Sequence, residues 1–206
     1  MNFSTGGREL MHKKLIFLFL LGLLINYGYT QEGGQMLKKK VLMIIASDGF
    51  RDEELLKPKE IFERNGFEVT VASTSLNTAK GMLGTKIKPD ILIQDVNVSD
   101  YSAVVFVGGV GASVYWDDPL AHKLATDAYN RGKIVSAICI APVTLAKAGL
   151  LSSKKATVWE QEKEQLKKYG AIYTGKPVEK DGKIITANGP FSAEEFARAI
   201  LEELLK

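Results

Sequence analysis

Three segments of the sequence are almost entirely apolar and only five or six residues long. They are residues 41–46 (VLMIIA), 103–107 (AVVFV) and 134–138 (IVSAI). A strand with one face in solvent alternates apolar and polar residues, whereas a strand buried on both faces does not. These segments therefore predict fully buried strands, which are typical of a parallel sheet covered by helices.

Helical and turn patterns fill the intervals between these strands. The sequence predicts helices over 52–65, 119–131, 142–149 and 194–205, a strand over 67–72, and hairpins over 81–95 and 178–187. Strands that alternate with helices predict an α/β fold in which a mostly parallel sheet is covered on both faces. In such folds ligands bind beyond the carboxyl ends of the strands.

The first thirty residues differ from the rest of the chain. A basic flank at 12–14 (HKK) precedes eleven largely apolar residues at 15–25. That run is shorter than the ~20 residues of a membrane span, but it suits the apolar region of a secretory signal. The sequence therefore predicts a signal peptide over 1–30 and export to the periplasm or the exterior. An uncleaved anchor is the alternative, and Met11 is an alternative start to Met1.

Beyond this leader the sequence predicts one domain. Residues 31–38 have the composition of a flexible linker, and residues 39–206 show no break in composition. The chain is 46% apolar and 25% charged, as in ordinary globular proteins, which argues against disorder. A single cysteine excludes internal disulfides and a cysteine-based zinc site. The net charge of +3 is carried mostly by the leader, so no nucleic-acid partner is expected.

The only cysteine, Cys139, lies where a predicted strand passes into a predicted helix. Ala137 and Ala141 are small, and Pro142 suits a first helical turn, a pattern typical of the tight turn called a nucleophile elbow. A thiol near a helix N-terminus has a lowered pKa, so we expect Cys139 to titrate below about 8.5. The alternative is an inert buried cysteine, the commoner role of this residue type.

Four segments of the chain form a recognisable set. They are 52–58 (DEELLKP), 108–109 (GG), 137–142 (AICIAP) and 185–190 (ITANGP). Together they resemble the ThiJ/PfpI superfamily over residues 39–205, the family of the parkinsonism-associated protein deglycase and of intracellular protease I. The resemblance implies a flavodoxin-like three-layer α/β/α sandwich of the class I glutamine amidotransferase-like type. It also implies a homodimer and a reaction without metal or organic cofactor.

The resemblance assigns Glu54 as the second functional residue, because the family has a glutamate four positions before a proline in its first helix. Pro58 offers no N–H to the carbonyl of Glu54, which predicts a break that turns Glu54, and not Glu53, toward the strand ends. The family carboxyl is protonated and hydrogen-bonded to the thiolate, as burial near a second anion would favour. The alternative is that the acidic residues 52–54 merely complement the dipole of their own helix.

Two backbone amides complete the predicted site. Gly109 matches the family glycine whose amide faces the cysteine sulfur, and a glycine lets the backbone approach closely. The amide of Ile140, directly after the cysteine, is placed to face a developing oxyanion. A phosphate loop at 108–111 is the weaker interpretation, because neither a Walker lysine nor a complete GxGxxG is present.

The chain lacks a histidine at both places where the superfamily supplies one. Ile140 follows the cysteine where the protease-like branch has histidine, and Trp159 stands where the deglycase-like branch has it. The two histidines of the chain are His12, in the leader, and His122, which we expect to be a solvated side chain on a helix. A Cys–His dyad for peptide hydrolysis is therefore not expected.

Three functions remain open from the sequence. In the first, Cys139 adds to the aldehyde of a small 2-oxoaldehyde, Glu54 relays protons, and the amides of Gly109 and Ile140 hold the oxyanion, as in a glyoxalase or deglycase. In the second, the protein is a redox-responsive stress protein or chaperone whose cysteine is oxidised with little turnover. In the third, it is a binding module on a fold that no longer catalyses.

Overall fold

The structure, a computed structural model, describes residues 39–206. Its strands are β1 (Lys40–Ile44), β2 (Asp48–Phe50), β3 (Glu68–Ser73), β4 (Ala79–Gly81), β5 (Lys86–Ile87), β6 (Ile91–Leu92), β7 (Ala103–Phe106), β8 (Ile134–Ile138), β9 (Lys155–Ala156), β10 (Ile172–Tyr173), β11 (Val178–Asp181) and β12 (Ile184–Ala187). Its helices are α1 (Asp52–Arg64), α2 (Pro119–Asn130), α3 (Pro142–Lys147), α4 (Lys163–Lys168) and α5 (Ala193–Leu204).

Seven strands form the main sheet, in the order β11-β12-β8-β7-β1-β3-β6. Neighbouring strands are parallel except β11 and β12, which form an antiparallel hairpin. The chain builds outward from β1 through β3 and β6, then returns and builds in the other direction from β7. The crevice beyond the carboxyl ends of β1 and β7 is therefore the switch point at which such sheets bind ligands.

Helices cover both faces of this sheet, which explains why β1 is apolar throughout. Val41 and Met43 pack in the core that also contains side chains of α1 and α5. Leu42 and Ile44 pack in the opposite core, with side chains of α2, α3 and α4. All four side chains are fully buried. The predicted flavodoxin-like three-layer α/β/α sandwich with a mostly parallel sheet is confirmed.

The first helix differs from its prediction. It was expected to break at Pro58, but α1 runs from Asp52 to Arg64 with Pro58 inside it. A proline removes one backbone hydrogen bond from a helix, and here the ring is buried in a helix that packs along α5. Because the helix continues through Pro58, a break there is not the cause of the position of Glu54.

Small sheets and one short helix were not predicted. β9 pairs with β10, and β2 pairs with the β4–β5 hairpin, which lies partly within the predicted hairpin region 81–95. These strands have two or three residues, too few to show an apolar period. The helix α4, with six residues, was not predicted for the same reason.

The prediction of a signal peptide over residues 1–30 is not supported and is corrected here. Those residues and the predicted linker, 31–38, lie outside the described residues. Within residues 39–206 no helix is long and apolar enough to cross a membrane. The uncleaved anchor that stood as its alternative, and the export that the leader predicts, concern the same undescribed residues and stay predictions.

Candidate active site

Cys139 occupies a sharp turn between β8 and α3. Its φ of 64° is in the left-handed region, which residues other than glycine rarely adopt and which costs of order 1–3 kcal/mol. Hydrogen bonds hold this turn on both sides: the Cys139 amide donates to the Ala187 carbonyl at 2.9 Å, and the Trp159 amide donates to the Cys139 carbonyl at 2.8 Å. The thiol-bearing residue is 9% exposed, so the turn fits the predicted nucleophile elbow.

Glu54 projects from the first turn of α1 into the interior and is fully buried. Its Oε2 accepts a hydrogen bond of 3.0 Å from the amide of Gly108. Its Oε1 is buried and meets no N–H or O–H donor among the described residues. A carboxyl that is buried with so few donors strongly favours its neutral form.

Gly108 brings the thiol and the carboxyl together. A Cβ atom on Gly108 would lie 2.4 Å from both the Cys139 Cβ and the Glu54 Oε2, so only glycine permits this approach. The carbonyl of Gly108 accepts from the Arg51 amide at 2.9 Å, which ties the end of β7 to the start of α1. Gly109 follows with a φ of 97°, and a Cβ there would lie 2.4 Å from the Arg51 amide nitrogen.

Burial dominates the electrostatics of the two groups. It raises the pKa of the Glu54 carboxyl to about 8, and hydrogen bonds from the Cys139 thiol and the Gly108 amide oppose this rise only in part. It also raises the pKa of the Cys139 thiol to about 12, and the negative charge of ionised Glu54 adds to that rise. The amides of Gly109 and Ile140 act in the other direction, because N–H groups near the sulfur favour the thiolate.

The expectation that Cys139 titrates below about 8.5 is therefore wrong. The helix that follows the thiol, α3, has only six residues. Two amides and a short helix do not outweigh burial beside a carboxyl that also ionises, since two negative charges in contact repel strongly in a low dielectric. At neutral pH the pair is mostly in its doubly protonated form.

The three acidic residues at the start of α1 have three separate roles. Glu54 enters the interior, whereas the Glu53 carboxylate is 31% exposed and binds the Arg51 guanidinium. Asp52 accepts hydrogen bonds of 2.8 Å from the amides of Leu83 and Thr85, which fixes the β4–β5 hairpin over the site. Helix-dipole complementation alone does not explain this arrangement.

A cavity of about 180 Å³ opens above the thiol. It is lined by residues from six separate parts of the chain: Arg51, Met82, Gly109, Val110, Cys139, Ile140, Trp159 and Pro190. The structure thus brings together Cys139, Glu54, Gly109 and Ile140, all of which the sequence singled out. Sequence reasoning missed Arg51 and Met82, because only the folding of the hairpin over the start of α1 makes them cavity walls.

His122 does not reach the thiol. Its Nε2 lies 2.8 Å from the carbonyl oxygen of Trp116, and the Trp116 indole N–H donates to the Ile140 carbonyl at 3.2 Å. His12 lies outside the described residues. Within the described part of the chain, His122 thus uses its Nε2 on a backbone carbonyl and not on the thiol. Among residues 39–206, no cluster of three or more His, Cys, Asp or Glu could hold a metal ion.

Comparison with known proteins matches this geometry to one family. The model of the DJ-1/PfpI family matches residues 39–203. A protein of Methanocaldococcus jannaschii is 44% identical over 195 residues, 93% of this chain and 95% of its own length. The crystal structure of a ThiJ/PfpI domain protein from Brachyspira murdochii superimposes with a TM-score of 0.80 at 34% identity, and covers 82% of this chain and 98% of that one.

Two more distant relatives carry names that state an activity. The glutathione-independent glyoxalase DJR-1.2 of Caenorhabditis elegans is 26% identical over 81% of this chain and 89% of its own. A deglycase of Thermococcus kodakarensis is 28% identical over 79% of this chain and 98% of its own.

Proposed function

Because the chain belongs to the DJ-1/PfpI family, we propose that it is a cysteine-dependent enzyme that acts on small reactive carbonyl compounds without a cofactor, in the manner of a glyoxalase or deglycase. The observation that carries the proposal is that Cys139 and Glu54 are both buried against Gly108, below a small cavity. A nucleophile with an adjacent proton acceptor is the minimum that addition to an aldehyde requires.

In the proposed reaction the Cys139 sulfur bonds to the aldehyde carbon of a 2-oxoaldehyde. Ionised Glu54 takes the thiol proton as this bond forms, and the new oxyanion lies against the amides of Gly109 and Ile140. Glu54 passes this proton to the oxygen, which gives a hemithioacetal and restores the carboxylate. Glu54 then moves the proton of the first carbon to the second, and the hydroxyl proton of the first carbon passes to the ketone oxygen of the second, which gives a 2-hydroxy thioester. Water hydrolyses this thioester, which releases the 2-hydroxy acid and restores the thiol.

The lack of a histidine beside Cys139 and the small size of the cavity favour this chemistry over peptide hydrolysis. Hydrolysis of an amide needs a group that protonates a poor leaving amine, commonly a histidine beside the nucleophile. Addition to an aldehyde expels no leaving group, so one carboxyl can relay the proton. A three-carbon 2-oxoaldehyde also suits a cavity of about 180 Å³.

The redox role is the second candidate, and the environment of the thiol weighs against it. Oxidation by peroxide proceeds through the thiolate, so a thiol with a pKa raised to about 12 reacts slowly at neutral pH. A protein that forms a sulfinate at Cys139 under mild peroxide, as read by mass spectrometry, and that turns over no carbonyl compound would favour the redox role.

The pH dependence of turnover tests the proposed function directly. The base form of Glu54 exists above its raised pKa of about 8, so kcat/KM for methylglyoxal is expected to rise about tenfold per pH unit up to that value and then to level off. Methylglyoxal consumption and 2-hydroxy acid formation would be measured from pH 6 to 9.5, with buffer alone as the control at each pH. A flat or falling profile would contradict the role of Glu54 as a base.

We also propose that the protein is a homodimer, joined beside the cavity mouth. Met82, Leu83 and Val110 are exposed apolar side chains in this region, with Leu83 63% and Val110 65% exposed. They are neighbours, since Met82 and Val110 share the cavity wall and the Met82 amide donates to the Phe50 carbonyl. A second copy would remove this apolar surface from water.

Sedimentation of the full chain should therefore give about twice the mass of one chain. Replacing Leu83 by aspartate places a charge in the proposed interface and is expected to shift the protein toward monomers. Leu76→Asp is the control, because Leu76 is also exposed but lies in the loop between β3 and β4, not in the β4–β5 turn that carries Met82 and Leu83. A wild-type monomer, or a Leu83→Asp variant that stays dimeric, would argue against this interface.

A further inference from the structure

The wall of the Cys139 cavity carries a single formal charge. Of its lining residues only Arg51 is a cation, and none of the others is ionised at neutral pH: Met82, Gly109, Val110, Cys139, Ile140, Trp159 and Pro190. In a mostly apolar pocket, the few polar groups fix the orientation of a ligand and select it. The position of this one charge is therefore the feature that most restricts what the cavity accepts.

Arg51 is held firmly at both ends. Its backbone amide donates to the Gly108 carbonyl at 2.9 Å, directly beside the carboxyl of Glu54. Its guanidinium is 26% exposed and binds Glu53 through Nε at 2.8 Å and Nη2 at 3.1 Å. A guanidinium has five N–H donors, so this pair leaves donors for a second anion. Arg51 thus presents an oriented cation and not a freely moving one.

The groups below the cavity do not cancel this charge. Burial keeps both Glu54 and Cys139 mostly protonated at neutral pH, so the floor of the site is close to uncharged. An anionic ligand therefore meets little repulsion from the floor, and the Arg51 guanidinium, which already pairs with Glu53, has its remaining donors to offer. A carboxylate matches the planar fork of arginine better than any neutral group does.

We propose that Arg51 makes this site selective for carbonyl compounds that carry a carboxylate, with the carbonyl carbon at the Cys139 sulfur and the carboxylate on the guanidinium. The proposal rests on the proposed function and names its substrate class: 2-oxoaldehydes with an acidic arm. Arg51 is a specificity residue in this scheme, and it takes no part in moving protons.

Alkylation of the thiol tests the selectivity without any turnover. Iodoacetate and iodoacetamide deliver the same carbon to sulfur and differ in one negative charge, and Cys139 is the only cysteine in the chain. The ratio of the iodoacetate rate to the iodoacetamide rate is expected to be at least fivefold higher in the protein than in N-acetylcysteine amide. In the Arg51→Met variant this ratio should fall to that of the free thiol.

Three further variants serve as controls for the alkylation test. Arg51→Lys keeps the charge and should keep part of the selectivity, even if Arg51→Met fails to fold. Glu53→Gln releases the guanidinium from its partner and should raise the ratio. Arg64→Met removes an exposed cation that pairs with Glu60 at the far end of α1, and should leave the ratio unchanged. A wild-type ratio equal to that of the free thiol overturns the proposal, as does an equal fall in Arg51→Met and Arg64→Met.

Turnover separates this proposal from the proposed function. The KM for 4,5-dioxopentanoate is expected to be at least fivefold below that for its neutral methyl ester, and the difference should vanish in Arg51→Met. Turnover of both compounds with equal KM would overturn the role of Arg51 and leave the proposed function standing. No turnover of either, with charge-selective alkylation intact, would refute the proposed function and leave an anion-selective site at Cys139.

Discussion

The Cys139→Ala variant is expected to consume methylglyoxal no faster than buffer does. The thiol is the only sulfur nucleophile in the chain, and the proposed reaction begins with the bond from that sulfur to the aldehyde carbon. The remaining groups, Glu54 and the amides of Gly109 and Ile140, have nothing to act on without it. The measurement is methylglyoxal consumption and 2-hydroxy acid formation at pH 8.5, where the wild type should be near its maximum.

Ser136→Ala is the matched control for this variant. Ser136 lies in β8, the strand that leads into Cys139. It is fully buried and its hydroxyl has no hydrogen-bond partner among the described residues, so its loss should leave turnover intact. Casein and fluorogenic peptides should remain uncleaved by both proteins. Cleavage of peptides that depends on Cys139, without turnover of methylglyoxal, would contradict the proposed substrate class.

Glu54→Gln should slow turnover and at the same time make the Cys139 thiol easier to ionise. Because these two effects can be measured separately, this variant is the more informative one. Turnover of methylglyoxal is expected to fall by about 10²- to 10⁴-fold, because an amide of nearly the same shape cannot relay a proton. The pKa of the Cys139 thiol is expected to fall as well, because the charge of ionised Glu54 is one cause of its rise. The rate of alkylation by iodoacetamide against pH measures this second effect.

A variant that is slower in turnover but more easily ionised at the thiol would show that the lost function is proton transfer. Glu60→Gln is the control, since Glu60 lies on the same helix but is exposed and paired with Arg64. It should change neither measurement. Retention of more than half of the wild-type turnover in Glu54→Gln would remove Glu54 from the mechanism.

Much of the fold was accessible from the sequence, because burial on both faces leaves a strong signature. The apolar runs at 41–46, 103–107 and 134–138 became the central strands β1, β7 and β8. The strands β9 and β10, of two residues each, left no such pattern, since so short a segment shows no period. Local pattern thus identifies the layers of this fold, and tertiary contact adds its small sheets.

In the site, too, some features follow from local sequence and others depend on tertiary contacts. The turn at Cys139 and the glycines of 108–109 could be located from local sequence, because strained and closely packed backbone demands particular residues. The pKa of the thiol could not, since it depends on burial and on a carboxyl that is distant in sequence. Arg51 was missed for a related reason: the cavity that it lines exists only after the hairpin and the loop at Pro190 have closed around it.

The two edges of the main sheet determine how readily copies of the protein can pair strand to strand at high concentration. Unpaired backbone groups along an edge strand act as a template for another chain, and short or charged edge strands suppress that association. One edge here is β6, which has only two residues. The other is β11, where Glu179, Lys180 and Asp181 are charged and the Asp181 carboxylate accepts from the Lys155 amide of β9 at 2.9 Å. Extension of the main sheet from copy to copy is therefore disfavoured at both of its edges.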